Sequence, residues 1–162
     1  MSSSARASLA GVSAHEESNV YTSNFSAGVD GWTDNGGAVA GNIDGIGGQN
    51  DNLRFTTDNL SGQKRMVKNP LFTAGNCYRV RFDYYIPSGQ SNIDGIKPYD
   101  GNWHGQESVT DAWTSVDLYF NAYSTYFWVF ATDGGATTFQ DAGGDDVFYI
   151  RNVIVDRWTR IP

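Results

Sequence analysis

One stretch, Cys77 to Ile86, constrains this chain more than any other: it reads Cys-Tyr-Arg-Val-Arg-Phe-Asp-Tyr-Tyr-Ile and alternates without a break. Tyr78, Val80, Phe82, Tyr84 and Ile86 fall on one face; Arg79, Arg81, Asp83 and Tyr85 fall on the other. A period of two, carried by aromatic and β-branched residues, is the mark of a half-buried strand. Gly75-Asn76 sets a turn before it and Pro87-Ser88-Gly89 ends it. One face is expected in a core. The other, with two guanidiniums, a carboxylate and a phenol in a row, is either an ordinary solvated sheet face or a polar ligand platform.

The pattern recurs along the chain. Asn52 to Thr57 alternates, and so do Ser115 to Asn121, with Val116, Leu118 and Phe120 on one side, and Thr125 to Ala131, with Phe127, Val129 and Ala131 against Tyr126, Trp128 and Phe130. Val20 to Phe25 reads as a first strand, Ser91 to Lys97 as a weak one and Val147 to Val155 as the last, followed by a tail carrying Trp158. Lys64 to Lys68 is short and charged, the kind of strand that protects a sheet edge. Trp32 and Trp113 are expected in the core. No apolar stripe of period 3.6 reaches helical length, so the chain reads as an antiparallel β-sandwich. At 162 residues it is one domain with room for a full core.

A formal charge of −7 speaks against nucleic acid and against an anionic membrane surface as partners. The single cysteine, Cys77, forms no intrachain disulfide and no thiolate metal cage. Residues 1–19 are small and polar, with too few large apolar groups to pack on their own domain. They read as an N-terminal arm lying across another chain, with the sandwich spanning 20–162. The start is too weakly apolar for a secretion signal, so synthesis and folding in a cytoplasm are expected.

Four pieces together resemble jelly-roll carbohydrate-binding modules, the group with xylan- and cellulose-binding members. They are Asn24-Phe25 with Asp30-Gly31-Trp32, Leu71 to Val80, Trp113 before its alternating strand, and Val147-Phe148-Tyr149-Ile150-Arg151-Asn152-Val153. The resemblance is a spaced pattern across 20–156. It implies two facing antiparallel sheets in a jelly roll and sugar binding without chemistry. It also implies a structural calcium as cofactor, but Ser26 and Arg151 stand where relatives carry acidic residues that help hold that ion.

Sugar binding needs flat aromatic faces for the apolar side of a pyranose and planar polar groups for its hydroxyls. Arg79, Arg81, Asp83, Tyr85, Asp117, Tyr119, Tyr126 and Trp128 supply both if their three strands share one sheet face. Tyr99, Trp103 and His104, in a polar loop, form a second candidate at a sheet rim, with plain loop packing the favoured alternative. Asp141, Asp145 and Asp146 in a Gly/Asp loop offer oxygens for calcium, with a plain solvated acidic loop the favoured alternative. Catalysis has little to stand on: His15 and His104 are the only histidines, and a carboxylate pair such as Asp83 and Asp117 carries no local signature.

Two functions fit these expectations. The first is a non-catalytic surface protein of a phage or virus particle, of the capsid-decoration type, assembled as a dimer or trimer within a larger protein shell such as a capsid and touching host glycans. It would be made in the host cytoplasm and displayed on the virion. The alternative is a stand-alone polysaccharide-binding module, secreted. The arm favours the first.

Overall fold

The computed structural model describes residues 15–58, 60–139 and 145–160. Among these, every regular element is a strand: β1 (His15–Ser23), β2 (Trp32–Asn35), β3 (Gly37–Ile43), β4 (Asn52–Thr57), β5 (Gly62–Gln63), β6 (Arg65–Lys68), β7 (Cys77–Tyr85), β8 (Gly95–Tyr99), β9 (Thr114–Asn121), β10 (Phe127–Thr132), β11 (Thr138–Phe139) and β12 (Val147–Arg160). They form the expected antiparallel sandwich. Sheet A runs β3-β4-β12-β7-β9, with β1 also on β12; sheet B runs β2-β6-β10-β8. The pairings are antiparallel throughout, and a small β5-β11 ribbon stands apart.

The stretch that alternates most strictly becomes β7, flanked by β12 on one side and β9 on the other. Its inward residues Tyr78, Val80, Phe82 and Tyr84 are buried, as is Val116, while Leu118 and Phe120 are partly buried against the same core. Sheet B contributes Trp32, Met66, Ile96, Phe127, Val129 and Ala131 from across the sandwich. Phe127 sits at the meeting point, with ring centroids 6.1 Å from Phe82, 5.9 Å from Phe72 and 6.5 Å from Trp32. The buried Tyr84 hydroxyl is satisfied by the Val109 N–H at 3.1 Å, so its polar end adds no unpaired group to the core.

Four expectations need correction. Lys64–Lys68 is not an edge: β6 lies between β2 and β10, because β2, only four residues long, caps that side. The last strand does not stop at Val155. It continues to Arg160, since Asp156 and Trp158 extend the alternation and find partners on β1 and β7. His15 to Asn19, assigned to an arm across another chain, pairs with Arg160 to Asp156 of its own sandwich; residues 1–14 lie outside the described residues. Trp113 is not core. It lies half-buried on the outer face of sheet A against Tyr85, at 5.5 Å, and donates its indole N–H to the Ile46 carbonyl at 2.9 Å.

Candidate functional site

The eight residues expected on one face divide between two. Arg79, Arg81, Asp83 and Tyr85 on β7 and Asp117 and Tyr119 on β9 share the outer face of sheet A. Tyr126 and Trp128 belong to the β10 segment in sheet B, on the opposite side of the sandwich. The alternation within each strand is as expected. Only the assumption that the three strands lie in one sheet fails, since β10 pairs with β6 and β8.

On sheet B, Tyr126 and Trp128 meet two of the three rim candidates. β8 sets Tyr99 opposite Trp128 and Lys97 opposite Phe130, while β6 sets Arg65 opposite Phe130. After β8 the chain turns sharply enough for Tyr99 and Trp103 to form a bridge, which folds the Trp103 ring back over the sheet. Gly101 makes this turn possible: its φ is +110°, and a Cβ there would come within 2.3 Å of Tyr123. The outcome is one continuous aromatic surface. Tyr126 stacks on Trp128 at 4.2 Å, Tyr99 lies 5.3 Å from Trp128, and Trp103 lies 4.5 Å from Tyr99 and 4.9 Å from Phe130. Phe130 points away from the core yet is only 1% exposed, because the other rings cover it; Trp103 is 47% exposed.

Two cations rest on these rings. The Arg65 guanidinium lies 4.0 Å over Trp128, and the Lys97 ammonium 5.1 Å over Trp103. Among the described residues neither forms an ion pair with a carboxylate. Arg65 bonds Gln63, while its Nε and the Trp128 indole N–H are both buried with no hydrogen-bond partner among the described residues. Burial, helped by the neighbouring Tyr126, raises the Tyr99 phenol above its ordinary value, so it stays a neutral donor and acceptor. The face thus presents flat rings and positive charge. His104 is not part of it. Its ring lies 4.5 Å from Phe120 and its Nε2 is 3.1 Å from Asp100, a buried carboxylate that also accepts from the N–H groups of Asn102 and Tyr123. His104 therefore braces the loop, as loop packing would require.

The outer face of sheet A is built differently. Arg79 grips Asp117 with two bonds, at 3.0 and 2.8 Å, and reaches Glu17 at 3.3 Å. That grip holds the Asp117 carboxyl below the usual carboxylate range. Arg81 pairs with Asp156, and Arg151 with Asp83 at 3.2 Å. Among the described residues the aromatic rings of this face stand at the ends: Tyr119 with Trp158 at 5.2 Å, and Tyr85 with Trp113. Arg151, at a position where relatives of the resembled family carry an acidic calcium ligand, instead spans Asp83 and the Trp113 ring, 4.6 Å away. Among the described residues no group of three or more His, Cys, Asp or Glu side chains converges as a metal site would require. Of the acidic loop, Asp141 lies outside the described residues, and Asp146 accepts the N–H groups of Ser91 and Asn92.

No known protein family and no curated protein matches the chain in sequence. Solved structures match in fold. The CBM22-1 xylan-binding domain of Paenibacillus barcinonensis Xyn10C superimposes with a TM-score of 0.56 over 90% of this chain and 97% of its own length, at 12% identity. A Clostridium thermocellum xylanase fragment, CBM22-1 with a GH10 module in complex with xylohexaose, gives 0.60 over 86% of this chain at 14% identity. A cleaved adhesin domain of Lys-gingipain from Porphyromonas gingivalis gives 0.58 over 87% of this chain and 99% of its own length, at 12% identity. The chain spans only 28% of the xylanase fragment. The fold is the jelly roll of carbohydrate-binding modules.

Proposed function

We propose that this domain binds a polysaccharide chain on the outer face of sheet B and performs no chemistry on it. The observation that carries the proposal is the aromatic surface of Tyr99, Trp103, Tyr126 and Trp128, with Trp103 exposed and the other three half-buried, on a sheet face that would otherwise be polar. Rings of this kind accept the apolar faces of successive sugars. The Lys97 ammonium over Trp103 and the neutral Tyr99 hydroxyl lie on the same surface, where they can meet sugar hydroxyls. The rings are already packed against one another before any ligand arrives, which lowers the entropy cost of binding. The fold supports the reading, since two of the structures it resembles contain xylan-binding or xylohexaose-bound modules.

The particle-surface role rested on the arm. Five of its residues, His15 to Asn19, pair within the domain's own sheet, which removes part of that support and leaves a polysaccharide-binding module as the better reading. Calorimetry against xylan, cellulose oligomers and mixed-linkage glucans tests it. Weak, saturable binding to at least one chain, abolished by Trp128→Ala in a domain that keeps its melting temperature, is expected. Binding that survives Trp128→Ala, or no binding to any of them, would contradict it.

A further inference from the structure

We propose that a cavity on the outer face of sheet A is a second saccharide site, taking a single neutral sugar at a chain end or branch. The inference goes beyond chain binding on sheet B and does not depend on it. The cavity has a volume of about 430 Å³, within the range of ~300–1,000 Å³ typical of small-ligand pockets. It opens over the middle of β7, between Arg81 and Asp83, with Ser115 and Asp117 of β9 along one wall and Asn152 and Ile154 of β12 along the other.

A bulge makes the far wall. The β12–β7 register slips between Arg151 and Ile154, and Asn152 takes a left-handed φ of 51°. Bulges redirect side chains, and this one brings the Asn152 amide 3.1 Å from Asp83. Ser115 donates to the other Asp83 oxygen at 2.7 Å. The hydrogen-bonding groups at the cavity therefore hold one another in fixed positions.

The charges decide the ligand class. Arg81 is answered by Asp156, Asp83 by Arg151 and Asp117 by Arg79, so the cavity carries polar groups without a net field. An anion would meet Asp83 and Asp117, and a cation would meet Arg81. A neutral polyol meets neither penalty, because each hydroxyl both donates and accepts. Among the described residues the only ring residue along the wall, Phe82, turns its side chain into the core. Without a stacking surface the site suits one sugar rather than a chain lying flat. Hydrolysis would need a carboxyl kept protonated near neutral pH, whereas Arg79 drives Asp117 the other way.

An NMR titration of the full chain with xylose, arabinose, glucose, galactose and mannose, and with glucuronate as the charged control, tests the proposal. At least one neutral sugar should give saturable shifts in the backbone amides of Arg81, Asp83, Ser115, Asp117 and Asn152. Ser115→Tyr, which fills the cavity on an exposed strand position where Tyr is well tolerated, should abolish them. Asn152→Gly, which suits the left-handed backbone, should weaken binding about three- to tenfold, the loss of roughly one hydrogen bond. Trp128→Ala should leave these shifts intact while removing polysaccharide binding, so the two sites fail separately. No saturable shift at these amides, shifts that persist in Ser115→Tyr, or equal binding of glucuronate would overturn the proposal.

Discussion

The outer faces of the two sheets share strand geometry and differ in how their polar groups are spent. On sheet A, the guanidiniums of Arg79, Arg81 and Arg151 each have a carboxylate partner, and the rings stand at the ends. On sheet B, the rings occupy the middle, and Arg65 and Lys97 lie on them rather than on carboxylates. A face whose charges are cancelled internally has little left for a long ligand except local hydrogen bonds. A face whose cations lie on rings instead of in ion pairs keeps an aromatic surface for a ligand. The difference separates a scaffold face holding one small cavity from a platform suited to a chain.

The largest expected effect contrasts the exposed aromatics of the two faces. Trp103→Ala on sheet B should weaken chain binding by about 2 kcal/mol or more, the scale of an aromatic hot spot. Tyr119→Ala on sheet A, equally exposed at 51%, should change it by less than about 0.5 kcal/mol. Equal losses in calorimetry would erase the distinction. Next in size is the edge of sheet A. Removing residues 1–19 takes away the pairing of His15–Asn19 with β12, the 4.6 Å stack of His15 on Trp158 and the Glu17 bonds to Trp158 and Arg79. A chain starting at Val20 should melt several degrees lower than full length by calorimetry, yet bind polysaccharide unchanged. A melting temperature within one degree of full length would show that this strand segment adds nothing.

The smallest effect concerns pH. The Asp117 carboxyl is held down chiefly by its hydrogen bonds to Arg79, so its folded value lies below its unfolded one. Its contribution to stability is present above the unfolded value of about 4 and is lost as pH falls through the lower folded value. Arg79→Met should therefore be modestly less stable than wild type at neutral pH, with the gap closing below about pH 4; the pair is exposed enough that the effect stays small. Denaturant unfolding at both pH values measures it. A gap that is constant with pH would mean that Arg79 acts through packing and not through Asp117.

Much of this was legible in the chain. Strand alternation is a local property, so the inward and outward sets of β7, β9 and β10 follow from spacing alone. Sheet membership is not local. Whether Trp128 shares a face with Arg81 depends on which distant strand β10 joins, and no residue within β10 records that. Arg65 and Lys97 escaped notice for the same reason, since their value lies in the rings they cover across strands. Trp103 was readable in principle: Tyr99-Asp100-Gly101-Asn102-Trp103 is a tight-turn sequence that returns the second ring to the first. The continuation of β12 was readable too, because Ile154, Asp156 and Trp158 keep the period of two past the point where the apolar signal fades.

The proposed chain-binding surface is the aromatic face of sheet B. It is tested most directly by following the tryptophan indole N–H signals during titration with a bound oligosaccharide, such as a xylan or glucan fragment. The indole N–H of Trp103, the most exposed ring of the face, should move most, together with that of Trp128 beneath Arg65, while the Trp113 indole, already bonded to Ile46, stays in place. If the Trp113 and Trp158 signals on sheet A move instead and Trp128 does not, the chain binds the other face and the account is contradicted.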